Sequence, residues 1–336
     1  MSLKVCGFNF NKIEKSGDEV ISEFKEMPLK FISNDFLLKA HSYYEIQIYN
    51  DLKKFVINSN LKESINTTIV FTETILNVQL NDEYCFLLHE SGKISKYNIS
   101  TQEFITLDTP LNHNFERLIY ISCRFQTLMG VSNSNCVYQL FPEFKLIYKF
   151  LKHQRVKKIS SGLEHTIILT NNGDVFSFGC GLRGQLGHGD VASQKVPKLI
   201  EAISGIKIVD IACGAFHSCL VSSFGDFYSF GWNSCGQLGI RKDTEKEVAN
   251  KYQQVFSLPQ LIDIDDETDA IKNVYCGNKF TLLRTEANRL FSTGSNKFGQ
   301  LAVGDIIDRN SFIEIPIKDI NNETKIFCGY WSITKF

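Results

Sequence analysis

An all-β fold, a seven-bladed β-propeller in a single domain, is what this sequence predicts, on three observations. A glycine-centred motif returns at near-constant spacing, its copies consist of short β-rich runs separated by turn signals, and no window sustains a helical period. Ile159-Ser-Ser-Gly162-Leu-Glu-His165-Thr166 is followed by Ile211-Ala-Cys-Gly214-Ala-Phe-His217-Ser218. Val274-Tyr-Cys-Gly277-Asn-Lys-Phe280-Thr281 and Ile326-Phe-Cys-Gly329-Tyr-Trp331-Ser332 complete the series. The leading glycines lie 52, 63 and 52 residues apart. A second glycine follows each by 17 residues (Gly179, Gly231, Gly294), and a Gly-Gln-Leu-Gly/Ala box opens 22 residues on, at Gly184, Gly236 and Gly299. Because these offsets hold in three copies, the longer interval is an eleven-residue insertion, read as lying from about Arg241 to Pro259.

Each unit supplies four strands. The segments before the leading glycine (Lys157 to Ser160, Ile208 to Ala212) give the first. His165 to Thr170 is β-rich, Asn171-Asn-Gly173-Asp174 is a hairpin turn signal, and Val175 to Gly179 is β-rich again. A fourth strand is expected after the box, around Pro197 to Ala202. The first half repeats the pattern faintly: Cys85 to Tyr97 turns at Gly92, Gln126 to Tyr138 carries one extra residue, and Phe31 to Asn50 holds a degenerate copy. Dividing 336 residues by seven gives 48, close to the observed period, so seven blades is the natural count and six the fallback. The last unit has only two strands before Phe336, and Leu3-Lys-Val-Cys-Gly7-Phe-Asn9 resembles Phe227 to Asn233. The last blade is therefore expected to be closed by N- and C-terminal strands together, leaving no free edge there. Residues 1–150 hold degenerate blades plus the closing strand, and 151–336 the clear repeats.

Composition narrows function. Hydrophobic residues make up 43% of the chain and charged residues 22%, which is ordinary for a globular protein with a real core. Lys plus Arg number 36 against 37 Asp plus Glu, so the basic excess that accompanies DNA binding by counterion release is missing. No run of eighteen apolar residues predicts a membrane span, and the start lacks the apolar core of an export signal. The ten cysteines are expected to be reduced, buried and intracellular.

These motifs resemble the regulator of chromosome condensation repeat family, through Cys-Gly-x-x-His-Ser/Thr, Gly-Asp-x-Phe/Tyr-Ser-Phe-Gly and Gly-Gln-Leu-Gly. The likeness is strong from about Ile159 to Phe336 and weak before it. It departs from the family where the common tryptophan of the second motif is Phe178 and Phe230, and where the first half has no Gly-Gln-Leu-Gly. The resemblance implies seven-bladed propellers. A short chain with a worn first half is most similar to a small chromatin-associated member. That likeness implies a non-enzymatic, monomeric, nuclear adaptor with a cytoplasmic pool. It also implies a JmjC-type histone-modifying oxygenase as partner, histones as further contacts, and a part in histone demethylation and chromosome segregation. The family's best-known activity, nucleotide exchange on a Ran-like GTPase, is the alternative.

Sharper chemical readings fare less well. Gly179-Cys-Gly181-Leu-Arg-Gly184 satisfies the dinucleotide fingerprint, but Gln-Leu-Gly-His-Gly-Asp190 follows it and breaks the helix that a pyrophosphate needs. No cofactor is expected. His165 and His217 share a slot that is Phe280 in the next unit, which marks a packing position bonded to a neighbouring blade. His217, Cys213 and Cys219 lack zinc-binding spacings, so no metal is expected either. His188 beside Asp190 has no placed partner for acid–base work, and no nucleophile elbow or phosphate loop occurs.

The basic run Lys145 to Lys158 could meet DNA phosphates but is better read as a solvated inter-blade segment. The acidic stretch Asp263 to Asp269 could receive a basic tail, or be a solvated loop. Since function on a propeller sits in its loops, partner contacts are placed at Leu182 to Asp190, Trp232 to Lys246 and Lys297 to Asp305. The named candidates are Arg183, His188, Asp190, Trp232, Asn233, Arg241, Lys297 and Asp305.

Overall fold

The computed structural model describes the chain apart from residues 1–2, 9–19, 28–36, 41–43, 50–53, 60–64, 82, 112–115, 241–253, 265–268, 318–319, 330–331 and 336. It describes the backbone alone for strands before residue 71 and for residues 124, 332 and 334–335. In chain order the strands are β1 (Leu3–Phe8), β2 (Val20–Met27), β3 (Leu37–Ala40), β4 (Tyr44–Tyr49), β5 (Lys54–Ser59) and β6 (Ile65–Val70). Next come β7 (Ile75–Leu80), β8 (Tyr84–His89), β9 (Ile94–Asn98), β10 (Phe104–Leu107), β11 (Leu118–Arg124), β12 (Thr127–Ser132), β13 (Cys136–Phe141) and β14 (Lys145–Lys149). The repeat-bearing part contains β15 (Val156–Ser161), β16 (His165–Thr170), β17 (Val175–Gly179), β18 (Gln194–Leu199), β19 (Ile208–Cys213), β20 (His217–Ser222), β21 (Phe227–Trp232) and β22 (Val255–Ile262). It closes with β23 (Ile271–Cys276), β24 (Phe280–Thr285), β25 (Leu290–Gly294), β26 (Arg309–Glu314), β27 (Ile326–Cys328) and β28 (Ser332–Lys335). One 3₁₀ turn, Glu201–Ile203, is the sole helical element among the described residues.

From β7 to β26 the chain forms five consecutive four-stranded antiparallel meanders; β3 to β6 form another, described by its backbone. The remaining sheet runs β2-β1-β28-β27, so β1 lies between β28 and β2. Its register repeats that of the other units. Gly7 faces Ser332 as Gly179 faces His165, Gly231 faces His217 and Gly294 faces Phe280. The first strands of successive sheets touch in order, β3 to β7, β11, β15, β19, β23 and β27, and β27 touches β3.

Two expected boundaries move. The fourth strand expected at Pro197 to Ala202 is Gln194–Leu199, because Ile200 and Ile203 turn inward through the 3₁₀ element and are buried. Residues 255–259, expected in the insertion, belong to β22, where Val255 and Phe256 pair with Trp232 and Gly231. Pro259 is tolerated there because the ladder bulges between Ser229 and Gly231, on an outer strand that needs no N–H donor.

Burial explains why second strands read as apolar runs. All six residues of β16, of β20 and of β24 are buried, since each lies mid-sheet with neighbouring sheets on both faces. The core is accordingly a series of seams between sheets. One seam joins Ile167, Leu169 and Val175 to Ile208, Ile211, Leu220 and Phe230 of the next sheet; another joins Cys219, Val221 and Phe227 to Val274, Leu283 and Phe291. Each such large side chain contributes about 1.5–3 kcal/mol on burial. The leading glycine of each repeat is needed for the same packing. A Cβ at Gly162, Gly214 or Gly277 would collide with the ring of His165, His217 or Phe280, which lies directly over it.

Asp210 of β19 fastens three sheets. Its Oδ1 takes the Lys158 ammonium at 2.6 Å, and its Oδ2 accepts the backbone N–H of Val274 at 3.1 Å. Lys157 donates to the Val209 carbonyl at 3.1 Å. Two cations of the basic run are thus tied to the next sheet, while Lys145 and Lys149 are exposed on β14.

Two outcomes are expected. Asp210→Ala leaves the Val274 N–H without its acceptor and should cost about 1–3 kcal/mol in urea unfolding, with Asp210→Asn costing less. Deleting residues 1–9 removes the partners of β2 and β28 and should lower Tm by about 5 °C or more; an unchanged Tm would contradict the observed pairing.

Candidate functional site

The turns between first and second strands and the connectors between third and fourth strands lie at one end of the sheets. In three adjacent sheets those connectors are long, spanning residues 180–193, 233–254 and 295–308, whereas in the two preceding sheets they shrink to 99–103 and 142–144. The Gly-Gln-Leu-Gly box builds the long ones. The Oε1 atoms of Gln185, Gln237 and Gln300 accept the N–H groups of Arg183, Cys235 and Phe298 at 2.8–2.9 Å. Hydroxyls of Ser177, Ser229 and Ser292 donate to the carbonyls of Leu186, Leu238 and Leu301 at 2.6–2.8 Å. The first glycine of the box has φ +72° at Gly184, and a Cβ there would come within 2.9 Å of Ser257. The loop thus lies flat on the outer strand of the next sheet.

A buried polar spoke secures it. Ser218 donates to the Gln185 carbonyl at 2.8 Å and Thr281 to the Gln237 carbonyl at 2.7 Å. Their oxygens therefore accept from imidazole, so the 3.0 Å contact to His165 Nε2 and the 3.1 Å contact to His217 Nε2 assign the proton to Nε2. The Ser177–His188 pair at 3.0 Å follows the same logic. These are serine–histidine and threonine–histidine contacts in geometry only: each hydroxyl is buried and its proton points to a carbonyl, away from the base a nucleophile would need.

One group among the described residues has metal-ligand character. His217, Cys219 and Cys276 place ligand atoms within 4.8 Å of one another, Cys276 arriving from the adjacent sheet. Sequence spacing could not reveal that third member. His217 Nε2 is committed to Thr281, the Cys219 sulfur lies 3.7 Å from the same hydroxyl, and burial pushes the Cys219 thiol well above its ordinary value. In this state the trio packs a seam.

Two cavities open near the loop end. An axial one of about 350 Å³ is lined by Ser122, Lys158, Ser160, Ala212, Tyr275 and Phe327, and a second of about 420 Å³ lies between β12–β14 and β15–β18. The first has its lysine spent on Asp210, and the second has His165 spent on Ser218.

The structure brings two expected contact residues together. The Arg183 guanidinium carbon lies 3.9 Å from the Trp232 ring centroid and 4.8 Å from that of Phe216. Lys279 Nζ lies 5.2 Å from the same indole, and Phe216 meets Trp232 edge-on at 5.8 Å. Phe216 and Lys279 were missed in the sequence, although both immediately precede the repeated ring slot at His217 and Phe280. Trp232 Nε1 donates to Gln254 Oε1 at 3.3 Å. Asn233 is buried and accepts from Leu238 N–H at 3.0 Å, so it shapes its loop. Asp305 is similarly engaged: the Ile307 N–H first, then Arg309 and Asn296, hold its carboxyl below the usual value. Asp190 is exposed and caps Ala192 N–H at 3.0 Å, and Lys297 is exposed. Arg241 lies outside the described residues, as does most of the insertion and the centre of the acidic stretch. Along Gly179 to Gly184 the chain enters turns, and a Cβ at Gly181 would strike the Ala192 carbonyl, so these glycines serve close packing.

Burial, aided by the Lys198 charge, holds the His188 imidazole below its ordinary value despite Asp190. Burial also lowers His89. A depressed folded pKa gives stability that is present above the unfolded value of about 6.5 and lost as pH falls below it. The urea midpoint should therefore fall between about pH 7 and pH 5, and His188→Gln should flatten part of that decline.

Family models for the regulator of chromosome condensation (RCC1) repeat match residues 172–221 and 225–283, and a second model of the same repeat matches 156–185, 208–237 and 271–300. The chain is 31% identical over 206 residues to the mouse protein RCC1 domain-containing protein 1, a match covering 53% of this chain and 54% of that one. It thus spans about half the length of the relatives it matches. The fold is similar to human WBSCR16, with TM-score 0.82 at 12% identity over 100% of this chain and 99% of that one. It is also similar to Prp20p of Saccharomyces cerevisiae, with TM-score 0.80 at 14% identity over 99% and 90%. With a propeller-type all-β fold and three adjacent sheets repeating one ring-over-glycine packing, residues 156–300 of this chain carry repeats of the regulator of chromosome condensation family.

Proposed function

We propose that this chain is a non-enzymatic adaptor in chromatin regulation, a closed seven-bladed propeller that recruits a JmjC-type histone-modifying oxygenase through its loop face. Closure is supported by β1 pairing with β28 and by the contact of β27 with β3. The observation that carries the binding role is the loop face itself. Three long connectors lie on adjacent sheets, two of them anchored from below by buried hydroxyls of the next sheet, and Arg183 of the first connector meets Trp232, Phe216 and Lys279 beside them. Hydroxyl–imidazole pairs nearby are sealed, so the face is organised for contact and not for bond making. The partner class and the nuclear setting, with histones as further contacts, rest on the resemblance to RCC1 domain-containing protein 1.

Nucleotide exchange on a Ran-like GTPase is the alternative. Prp20p, similar in fold, is described with binding properties to Gsp1p and histones. Exchange would need contacts around most of a ring whose connectors are short in the sheets of β7–β10 and β11–β14.

Affinity purification from nuclear extract at gentle salt should recover a JmjC-type oxygenase with the wild-type chain, and at least about tenfold less with the Arg183→Ala, Trp232→Ala double variant. Recovery of no such oxygenase overturns the partner assignment. Accelerated nucleotide release from a Ran-like GTPase would favour exchange instead.

A further inference from the structure

Elsewhere in the repeat-bearing sheets, cations meet carboxylates: Lys158 with Asp210, Lys272 with Glu286, Arg289 with Glu314 and Arg309 with Asp305. The loop face differs. Among the described residues, neither the Arg183 guanidinium nor the Lys279 ammonium has a carboxylate or carbonyl acceptor; both rest on the π face of Trp232. A cation–π contact orients a cation without neutralising it. With its carbon 3.9 Å from the indole centroid, the flat Arg183 ion lies against the ring and keeps its edge N–H donors for an incoming group. Phe216 meets the ion from a second side. The two cations come from loops of different sheets and converge on an indole from a third, so the arrangement exists only in the assembled fold.

We propose that this platform is a receptor for a carboxylate-rich segment of a partner protein. Carboxylates would accept bidentate hydrogen bonds from Arg183 and a point charge from Lys279, while an apolar side chain of the segment would sit on Leu182, which is 70% exposed beside them. A nucleic acid fits less well, because a phosphate track needs a strip of cations, and this is a small island of charge among aromatic and aliphatic groups. Pre-orientation by the rings lowers the entropy lost when the segment binds. The inference rests on reading the loop face as a partner surface, and it adds the chemistry of what binds there.

The test uses the full chain and fluorescein-labelled twelve-residue peptides read by anisotropy. One is rich in Glu and Asp with a single Leu; a second replaces every acid by its amide; a third carries two phosphoserines in the amide background. The acidic peptide should bind, the amide peptide should not, and affinity should fall about tenfold between roughly 50 and 300 mM salt. Arg183→Gln and Lys279→Gln should each weaken binding about fivefold or more, and Arg183→Lys should weaken it less, since it keeps the charge but loses the planar fork. Lys207→Gln, an exposed change at the opposite end of the sheets, should leave it unaltered. Equal binding of the amide peptide, preference for the phosphopeptide, or wild-type affinity in folded Arg183→Gln and Lys279→Gln chains would each overturn the proposal. Recovery of an oxygenase from extract does not depend on this result, so a failed peptide test leaves the adaptor reading to stand or fall on its own experiment.

Discussion

The hydroxyl that reaches across each seam is the contact on which the loop face depends. Ser218 and Thr281 sit on second strands, yet each donates to a carbonyl in the preceding sheet's Gly-Gln-Leu-Gly loop and accepts from that sheet's imidazole. One small side chain therefore joins a strand, a loop and a ring from two sheets. Since these groups are fully buried, leaving any of them unpaired would carry the desolvation cost of a lost hydrogen bond. The seam fixes where the loop lies, and the loop fixes where Arg183 points.

This arrangement makes the surface composite. No single sheet contains the Arg183–Trp232–Lys279 cluster, and each sheet buries its apolar faces only against its neighbours, as expected of a repeat architecture. It also keeps the chemistry quiet. Imidazoles at 3.0–3.1 Å from hydroxyls would attract attention as catalytic pairs in an open cleft, but here the hydroxyl proton is already given to a carbonyl. In the His217–Cys219–Cys276 trio, His217 and Cys219 are turned to the Thr281 hydroxyl and burial holds the Cys219 thiol neutral. What the molecule offers outward is charge held on aromatic rings.

Much of this was legible in the sequence because the repeat carries its own packing rules. The ring over the leading glycine, the glycine facing it on the third strand, and the box after it recur at fixed offsets, and the facing glycine survives in the register of β1 against β28, where Gly7 stands opposite Ser332. Asn233 and Asp305 could be picked out as loop residues, but whether they face outward or hold their own loop depends on hydrogen bonds that spacing does not encode. Lys279 and Cys276 were missed for a related reason: they approach Trp232 and Cys219 across a seam, from tens of residues away in the chain, while Phe216 reaches Trp232 within its own sheet from a turn residue that no repeated motif marks. The fourth strands were displaced because outer strands alternate burial weakly and end where side chains such as Ile200 and Ile203 turn inward.

The central claim, that buried hydroxyls of one sheet hold the functional loop of its neighbour, is tested most directly by amide hydrogen exchange of residues 182–190 in wild type and Ser218→Ala. Selective loss of protection in that loop, with β16 and β20 still protected, is the result expected. Unchanged exchange in the loop, or a uniform loss across the whole chain, would contradict it.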